Sequence, residues 1–203
     1  TAIFANSPFS NGNLTKYKSL RSLYWMNTDK QRTGIIPFVF DKNFNFETYV
    51  NYALDVPMYF VIRNNHYINV AGSSFRDFMQ GKLKEIPKET PNVKDWVNHL
   101  TTLFPQVRLK QYLEIRSMDA CSWNEVCAQP AFWTGILYDK DCLDETYQII
   151  KKWTNDDRFY LYNNVLKYGL DTPFKKGKVL DQAKQFLEIS QRGLKNRSFI
   201  SRS

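Results

Sequence analysis

The stretch Val56-Pro57-Met58-Tyr59-Phe60-Val61-Ile62-Arg63, the pair Asn64-Asn65 and the return His66-Tyr67-Ile68-Asn69-Val70 decide the class of fold. Two strand-like runs on either side of a two-residue turn predict a β-hairpin, and therefore antiparallel pairing. Asn45–Ala53 predicts a short helix before the hairpin, and Ile35–Phe40 reads as a buried apolar run. Residues 1–34 are polar, with turn signals at Asn6-Ser7-Pro8 and Asn11-Gly12-Asn13, leading to a short helix or strand at Leu20–Met26. After the hairpin, Ser74–Met79 predicts a short helix ended near Gly81, followed by a proline-bearing loop over Lys82–Pro91. Asn92 is placed to cap a helix running to Leu103 and stopped by Pro105. Val107–Ile115 predicts a second strong strand and Cys121–Val126 a polar connector, before the apolar Pro130–Leu137. Helical spacing then marks Leu143–Trp153, Asn155–Leu166 behind a Thr154 cap, and Val179–Leu194. Strands gather in the first half and helices in the second, which predicts an α+β fold with an antiparallel sheet rather than alternating βαβ units.

The 203 residues suit one domain or a large part of one, and 43% hydrophobic residues suffice for a real core. No apolar run reaches the roughly 18 residues that a membrane-spanning helix needs. Neither a signal peptide nor an initiator Met opens the chain, so the expectation is a processed chain or a fragment. The three cysteines, Cys121, Cys127 and Cys142, match no zinc spacing and read as reduced thiols. The net charge of +8 is concentrated late: Phe174–Ser203 holds eight basic residues, Arg202 among them, against two acidic ones. Such an excess suits nucleic acid, anionic membranes or anionic small substrates, and equally describes a solvated helix face.

The chemistry points to Tyr112-Leu113-Glu114-Ile115-Arg116. Alternation along a strand sets Glu114 and Arg116 on one face, with Leu113 and Ile115 on the other. A carboxylate beside a guanidinium can hold a metal ion next to an anionic substrate. It can equally be a simple ion pair, with Arg116 or Lys110 as the partner of Glu114. A second polar block runs from Arg21 to Gly34 and includes Trp25 and Arg32.

Several further blocks share an order with these two: Phe4-Ala5-Asn6-Ser7-Pro8-Phe9, Tyr52 to Phe60, Ser74 to Phe78, His99 to Pro105, Val107 to Lys110 and Pro130-Ala131-Phe132-Trp133. The series resembles glutamate–cysteine ligase of the type shared by plants and many proteobacteria, within the glutamine synthetase-like ligases. The likeness covers essentially all of residues 1–203, which it marks as a central-to-C-terminal part of one catalytic domain. It implies an antiparallel sheet of the ligase type with helices packed on one side. It also implies a reaction, in which ATP, L-glutamate and L-cysteine give γ-glutamylcysteine, ADP and phosphate, the first step of glutathione biosynthesis.

That chemistry requires Mg²⁺ with hard oxygen ligands, and guanidinium groups for the transferred phosphoryl and the substrate carboxylates. The resemblance makes Glu114 the expected Mg²⁺ ligand and Arg116 and Arg32 the expected catalytic arginines. Arg21, Trp25, Tyr52, Asn6 and Ser7 are the expected substrate-binding residues. The regulatory disulfide of plant members aligns to Val70 and Glu85, so it cannot form here. Cys127 aligns with a cysteine whose plant partner lies upstream of this segment.

Family members are about twice as long, so the 203 residues are expected to be inactive alone. Glutamate, cysteine and ATP are the expected partners, with no nucleic acid or membrane, in a monomer or homodimer. The expected compartment is the cytoplasm, or a plastid for a plant protein. Two other readings stay in view: a related carboxylate–amine ligase with a different acceptor, and a basic nucleic-acid-binding module using the tail and the many aromatics.

Overall fold

The hairpin forms as the sequence predicts. Phe60 pairs with Asn69 and Arg63 with His66 in antiparallel register. Asn64 and Asn65 take φ values of 50° and 63°, the left-handed conformation that a two-residue hairpin turn demands and asparagine tolerates.

The computed structural model describes residues 1–200, leaving Arg202 of the basic tail outside the described residues. In chain order the elements are β1 (Phe9–Ser10), β2 (Asn13–Leu14), α1 (Leu20–Met26), β3 (Thr33–Gly34), α2 (Phe46–Asp55), β4 (Phe60–Arg63), β5 (His66–Asn69), α3 (Phe75–Met79), α4 (Val93–Thr101), β6 (Phe104–Pro105), β7 (Val107–Leu109), β8 (Leu113–Ile115), α5 (Trp123–Leu137), α6 (Lys140–Ile150), α7 (Asn155–Tyr168), β9 (Pro173–Phe174), β10 (Gly177–Lys178) and α8 (Val179–Ile200). This is a mixed α+β chain. Among the described residues the strands form two-stranded pairs, antiparallel except for β3 with β6, which is parallel.

Two compact units make up the chain: Trp25–Arg116, and Thr1–Tyr24 together with the chain from Ser117 onward. In the Trp25–Arg116 unit, Met58, Val61, Val70, Phe75, Phe78, Leu83 and Ile86 form one buried cluster, and Ala53, Val56 and Leu103 a second. Trp96 packs against both. Helix caps set the boundaries. The Asn45 side chain accepts from the Thr48 amide at the head of α2, and Asn92 with Asp95 closes a capping box on α4. The run Ile35–Phe40 departs from expectation. Pro37–Phe40 is a 3₁₀ turn with no buried residue, because Pro37 stops a ladder from forming and Phe40 is exposed.

The segment Val107–Ile115 departs further. It is no single strand: it reverses at Lys110–Tyr112, and β7 pairs back on β8 with Arg108 opposite Glu114.

In the other unit, α5 begins at Trp123, inside the stretch expected to be a connector. A capping box between Ser122 and Glu125 starts it, and it continues through Pro130. α5 crosses α8 at very close range. A Cβ built on Gly135 would collide with the Ser190 backbone, and one on Gly193 with the Gly135 carbonyl. The buried Ser190 hydroxyl donates to the Phe132 carbonyl at 2.8 Å across the same crossing. Three of the basic residues of the late chain have acidic partners nearby. Lys175 pairs with Asp157 at 2.5 Å, Lys178 with Asp171 at 2.9 Å, and Arg192 with Glu145. Among the described residues, no helix is long and apolar enough to cross a membrane.

Candidate active site

In the Trp25–Arg116 unit the site is built on the β7–β8 hairpin. The register that sets Arg108 opposite Glu114 joins their side chains. Arg108 Nη2 donates to Glu114 Oε2 at 2.6 Å and Nε at 3.1 Å. Arg116 donates to the other oxygen, Oε1. Glu114 and Arg116 therefore do share a face, as alternation predicts, while Arg108 takes the role that the sequence offered to Lys110. Burial pushes the Glu114 carboxyl up, but the hydrogen bonds from Arg108 and Arg116 outweigh it and hold the carboxyl below the usual carboxylate range.

The Arg116 guanidinium lies 5.1 Å from the Trp25 ring centroid and 5.2 Å from that of Phe104. The two rings meet edge to face at 5.9 Å. An ion pair on one side and two aromatic faces hold this cation in one orientation. The backbone brings the pieces together. The Phe104 amide donates to the Arg32 carbonyl at 2.8 Å, and the Arg116 amide to the Gln106 carbonyl at 2.9 Å. The Arg21-to-Gly34 block, from Trp25 on, thus meets the Tyr112-to-Arg116 strand in this unit.

Arg32 is placed differently. It is 2% exposed, and its guanidinium donates to Asp29 at 2.7 Å, to the Pro57 carbonyl at 2.7 Å, and to the Thr102 carbonyl and hydroxyl at 3.2 and 3.3 Å. It is the interior knot of this unit, supporting the site rather than facing a ligand. Tyr52 is half-buried against Phe38 and Tyr49, each 5.7 Å away between ring centroids. Burial, reinforced by Tyr49, pushes its phenol up to about 12, so it stays protonated.

In the other unit, Asn6 and Ser7 surround a carboxylate that the sequence reading passed over. Asp119 is 3% exposed and accepts from the Asn6 amide at 2.8 Å, the Ser7 hydroxyl at 2.7 Å and the Ser19 hydroxyl at 2.8 Å. The Ser7 oxygen also accepts from the Arg21 amide at 3.1 Å. Ser7 thereby anchors the backbone at Arg21.

The chemistry of the donor set bears on Mg²⁺. Glu114 offers an ionised hard oxygen, and each carboxylate oxygen has room for more than one partner. The two flanking guanidinium groups leave this spot net positive, so a cation fits only together with anionic phosphate oxygens. That agrees with the usual habit of Mg²⁺, which takes one or two carboxylates plus phosphate and water. Among the described residues, no group of three His, Cys, Asp or Glu side chains is placed to hold a metal. Glu114 fits as one ligand of a nucleotide-bound Mg²⁺. The thiols of Cys121, Cys127 and Cys142 are free. Cys142 is buried, with its sulfur 3.4 Å from the Ile189 carbonyl oxygen.

A family model described as glutamate-cysteine ligase family 2 matches residues 1–201. The chain belongs to this family. It is 54% identical over 199 residues to the protein named glutamate--cysteine ligase A, chloroplastic, of Oryza sativa subsp. indica, covering 98% of this chain and 40% of that protein. It is 52% identical to the glutamate--cysteine ligase, chloroplastic, of Solanum lycopersicum, and 50% identical to that of Arabidopsis thaliana. Those two alignments cover 98% of this chain and 38% of each relative. As a member of the family, the chain spans about two fifths of the length of the relatives it matches.

Proposed function

We propose that the protein carrying this sequence joins the γ-carboxylate of L-glutamate to the amine of L-cysteine at the expense of ATP, giving γ-glutamylcysteine, ADP and phosphate. The observation that carries the reading is the Glu114–Arg116 pair, buttressed by Arg108 and by the Trp25 and Phe104 rings, in a chain that the family model matches over residues 1–201. Family membership supports the choice of substrates.

On this reading the γ-carboxylate is phosphorylated first and the cysteine amine then displaces phosphate from the acyl phosphate. No protein nucleophile is needed. Arg116 faces the charge that spreads over the transferred phosphoryl, where a fixed guanidinium is effective because it does not have to reorient during the reaction. Glu114 would be the residue of this chain that holds a bound Mg²⁺, which would supply positive charge against the phosphate groups. Trp25 and Tyr52 wall the amino-acid pocket. Arg32 is a positioning residue, holding the Asp29–Pro57–Thr102 framework behind the hairpin. In its own unit, Arg21 is the candidate grip for a substrate carboxylate, with Asn6 and Ser7 near it as hydrogen-bonding groups.

The 203 residues are read as part of one catalytic domain with an antiparallel sheet of the ligase type, to which the antiparallel pairs β4–β5 and β7–β8 of the Trp25–Arg116 unit would contribute. The chloroplastic names of the relatives favour a plastid over the cytoplasm. The test is phosphate release from ATP by the full-length protein carrying this sequence, with Mg²⁺ and glutamate, in the presence and absence of cysteine. Cysteine-dependent release with γ-glutamylcysteine as product is expected. Release driven by another amine and not by cysteine would transfer the reading to a related carboxylate–amine ligase.

A further inference from the structure

One buried side chain beside the site, Arg108, is one that no catalytic role requires. Arg108 is 7% exposed. Its Nη1 donates to the Thr101 carbonyl at 2.5 Å and to the Leu103 carbonyl at 3.1 Å. These carbonyls lie at the C-terminal end of α4, where backbone acceptors lack helical partners and the helix dipole favours a cation. The other edge of the same guanidinium, Nε and Nη2, closes on a single oxygen of Glu114, Oε2. The planar fork thus clamps the end of α4 to β8 and fixes one carboxylate oxygen. Oε1 is left to the side of Arg116.

We propose that Arg108 is the positioning residue of the candidate site. It holds Glu114 by Oε2 so that Oε1 is presented to Arg116 and to a divalent cation. Arg108 is too buried to touch substrate and acts only through Glu114. The inference rests on the reading of Glu114 as a metal ligand. A lysine in its place would keep the charge but could not hold two carbonyls and the carboxylate in one plane. The Glu114 carboxylate would then swing, and a ligand that is no longer pre-set loses metal affinity. Outer-shell partners of metal ligands are typically worth about 10- to 100-fold in that affinity.

The experiment titrates Mn²⁺ into the full-length protein carrying this sequence, with a non-hydrolysable ATP analogue bound, and follows free Mn²⁺ by electron paramagnetic resonance. Wild type is compared with Arg108→Lys, Glu114→Gln and the double variant. Arg108→Lys is expected to weaken Mn²⁺ binding about 10- to 100-fold, and Glu114→Gln at least as much. The double variant is expected to bind no more weakly than Glu114→Gln alone, because Arg108 has no route to the metal except Glu114. That non-additivity reads the coupling even where Arg108→Lys costs some stability. Binding within twofold of wild type in Arg108→Lys, with Glu114→Gln impaired, would overturn the inference and leave the ligase reading standing. So would losses that add in the double variant. Unchanged binding in Glu114→Gln would remove the metal-ligand reading itself and the inference with it.

Discussion

The Arg32 guanidinium lies over the Tyr59 ring, 3.5 Å from its centroid, while both side chains donate to Asp29 Oδ2, at 2.7 and 2.6 Å. The carboxylate is shared by a cation and a phenol stacked on each other. The Tyr59 hydrogen bond, followed by that of Arg32, holds the Asp29 carboxyl below its usual range against the effect of its own burial. The same oxygen pushes the Tyr59 phenol up, adding to burial. This knot closes the Asp29–Gly34 turn that leads into β3. Arg32→Lys keeps the charge but loses the fork and the stack, and should destabilise the protein by about 3 kcal/mol. Tyr59→Phe removes one hydrogen bond to a charged acceptor and should cost about 1.5 kcal/mol. Urea midpoints of the two variants should fall in that order.

His99 gives a pH dependence with a definite sign. Its Nε2 donates to the Ala53 carbonyl at 2.8 Å, and the ring packs against Phe75 and Trp96. Burial pushes the imidazole pKa below its ordinary value, and Arg32 adds to this against the Ala53 hydrogen bond. The folded state therefore keeps His99 neutral where the unfolded chain takes a proton. Its contribution is complete above the unfolded pKa of about 6.5. It declines as pH falls from there through the folded value. His99→Gln should flatten the stability profile between pH 7.5 and 5.5 relative to wild type, measured as urea midpoint against pH. A wild-type slope retained in the variant would assign the acid sensitivity to other groups.

The α5–α8 crossing tolerates no added methyl. Gly135→Ala sets a Cβ against the Ser190 backbone, which cannot move as a flexible side chain could. The helices must separate, at a cost of about 1–3 kcal/mol. Gly12→Ala makes a useful contrast, since nothing lies within 4 Å of a Cβ there and only the positive φ of 78° opposes it. Differential scanning calorimetry should show the larger loss of Tm for Gly135→Ala.

Asp119→Ala removes the acceptor shared by the Asn6 amide and the Ser7 and Ser19 hydroxyls. Buried donors left unsatisfied cost about 1–3 kcal/mol each. Residues 6–19 should become cleavable under limited proteolysis conditions that spare wild type. Protection equal to wild type would show that the donors find other acceptors.

What was legible in the sequence followed from local chemistry. Asn64-Asn65 specified the hairpin, and Asn45, Asn92 and Thr154 stand where the helices start, because turn and cap preferences act within a few residues. The Glu114–Arg116 pair was legible for the same reason, two residues apart on one strand. Arg108 was not, because its pairing with Glu114 depends on a reversal at Lys110–Tyr112 that carries no Gly or Pro to announce it. Without that reversal, Arg108 lies six residues away along an extended strand. Asp119 was invisible for a different reason, since its hydroxyl partners lie 100 and 112 residues away in the chain. The start of α5 did carry a signal, the Ser122-x-x-Glu125 capping box. The apolar stretch from Pro130 lies inside that helix, which accommodates the proline in its interior. The interior position of Arg32 follows from carbonyls of Pro57 and Thr102, which no motif in its own block foretells.

The proposed function requires phosphorylation of the glutamate γ-carboxylate at the Glu114–Arg116 site. The direct measurement supplies the full-length protein carrying this sequence with L-glutamate labelled with ¹⁸O in the γ-carboxylate, together with ATP, Mg²⁺ and cysteine, and analyses the released phosphate by mass spectrometry. One labelled oxygen in each phosphate, formed along with γ-glutamylcysteine and slowed at least about 100-fold in Arg116→Ala, is the predicted result. Phosphate free of label, or label transfer at the wild-type rate in both Arg116→Ala and Glu114→Gln, would contradict it.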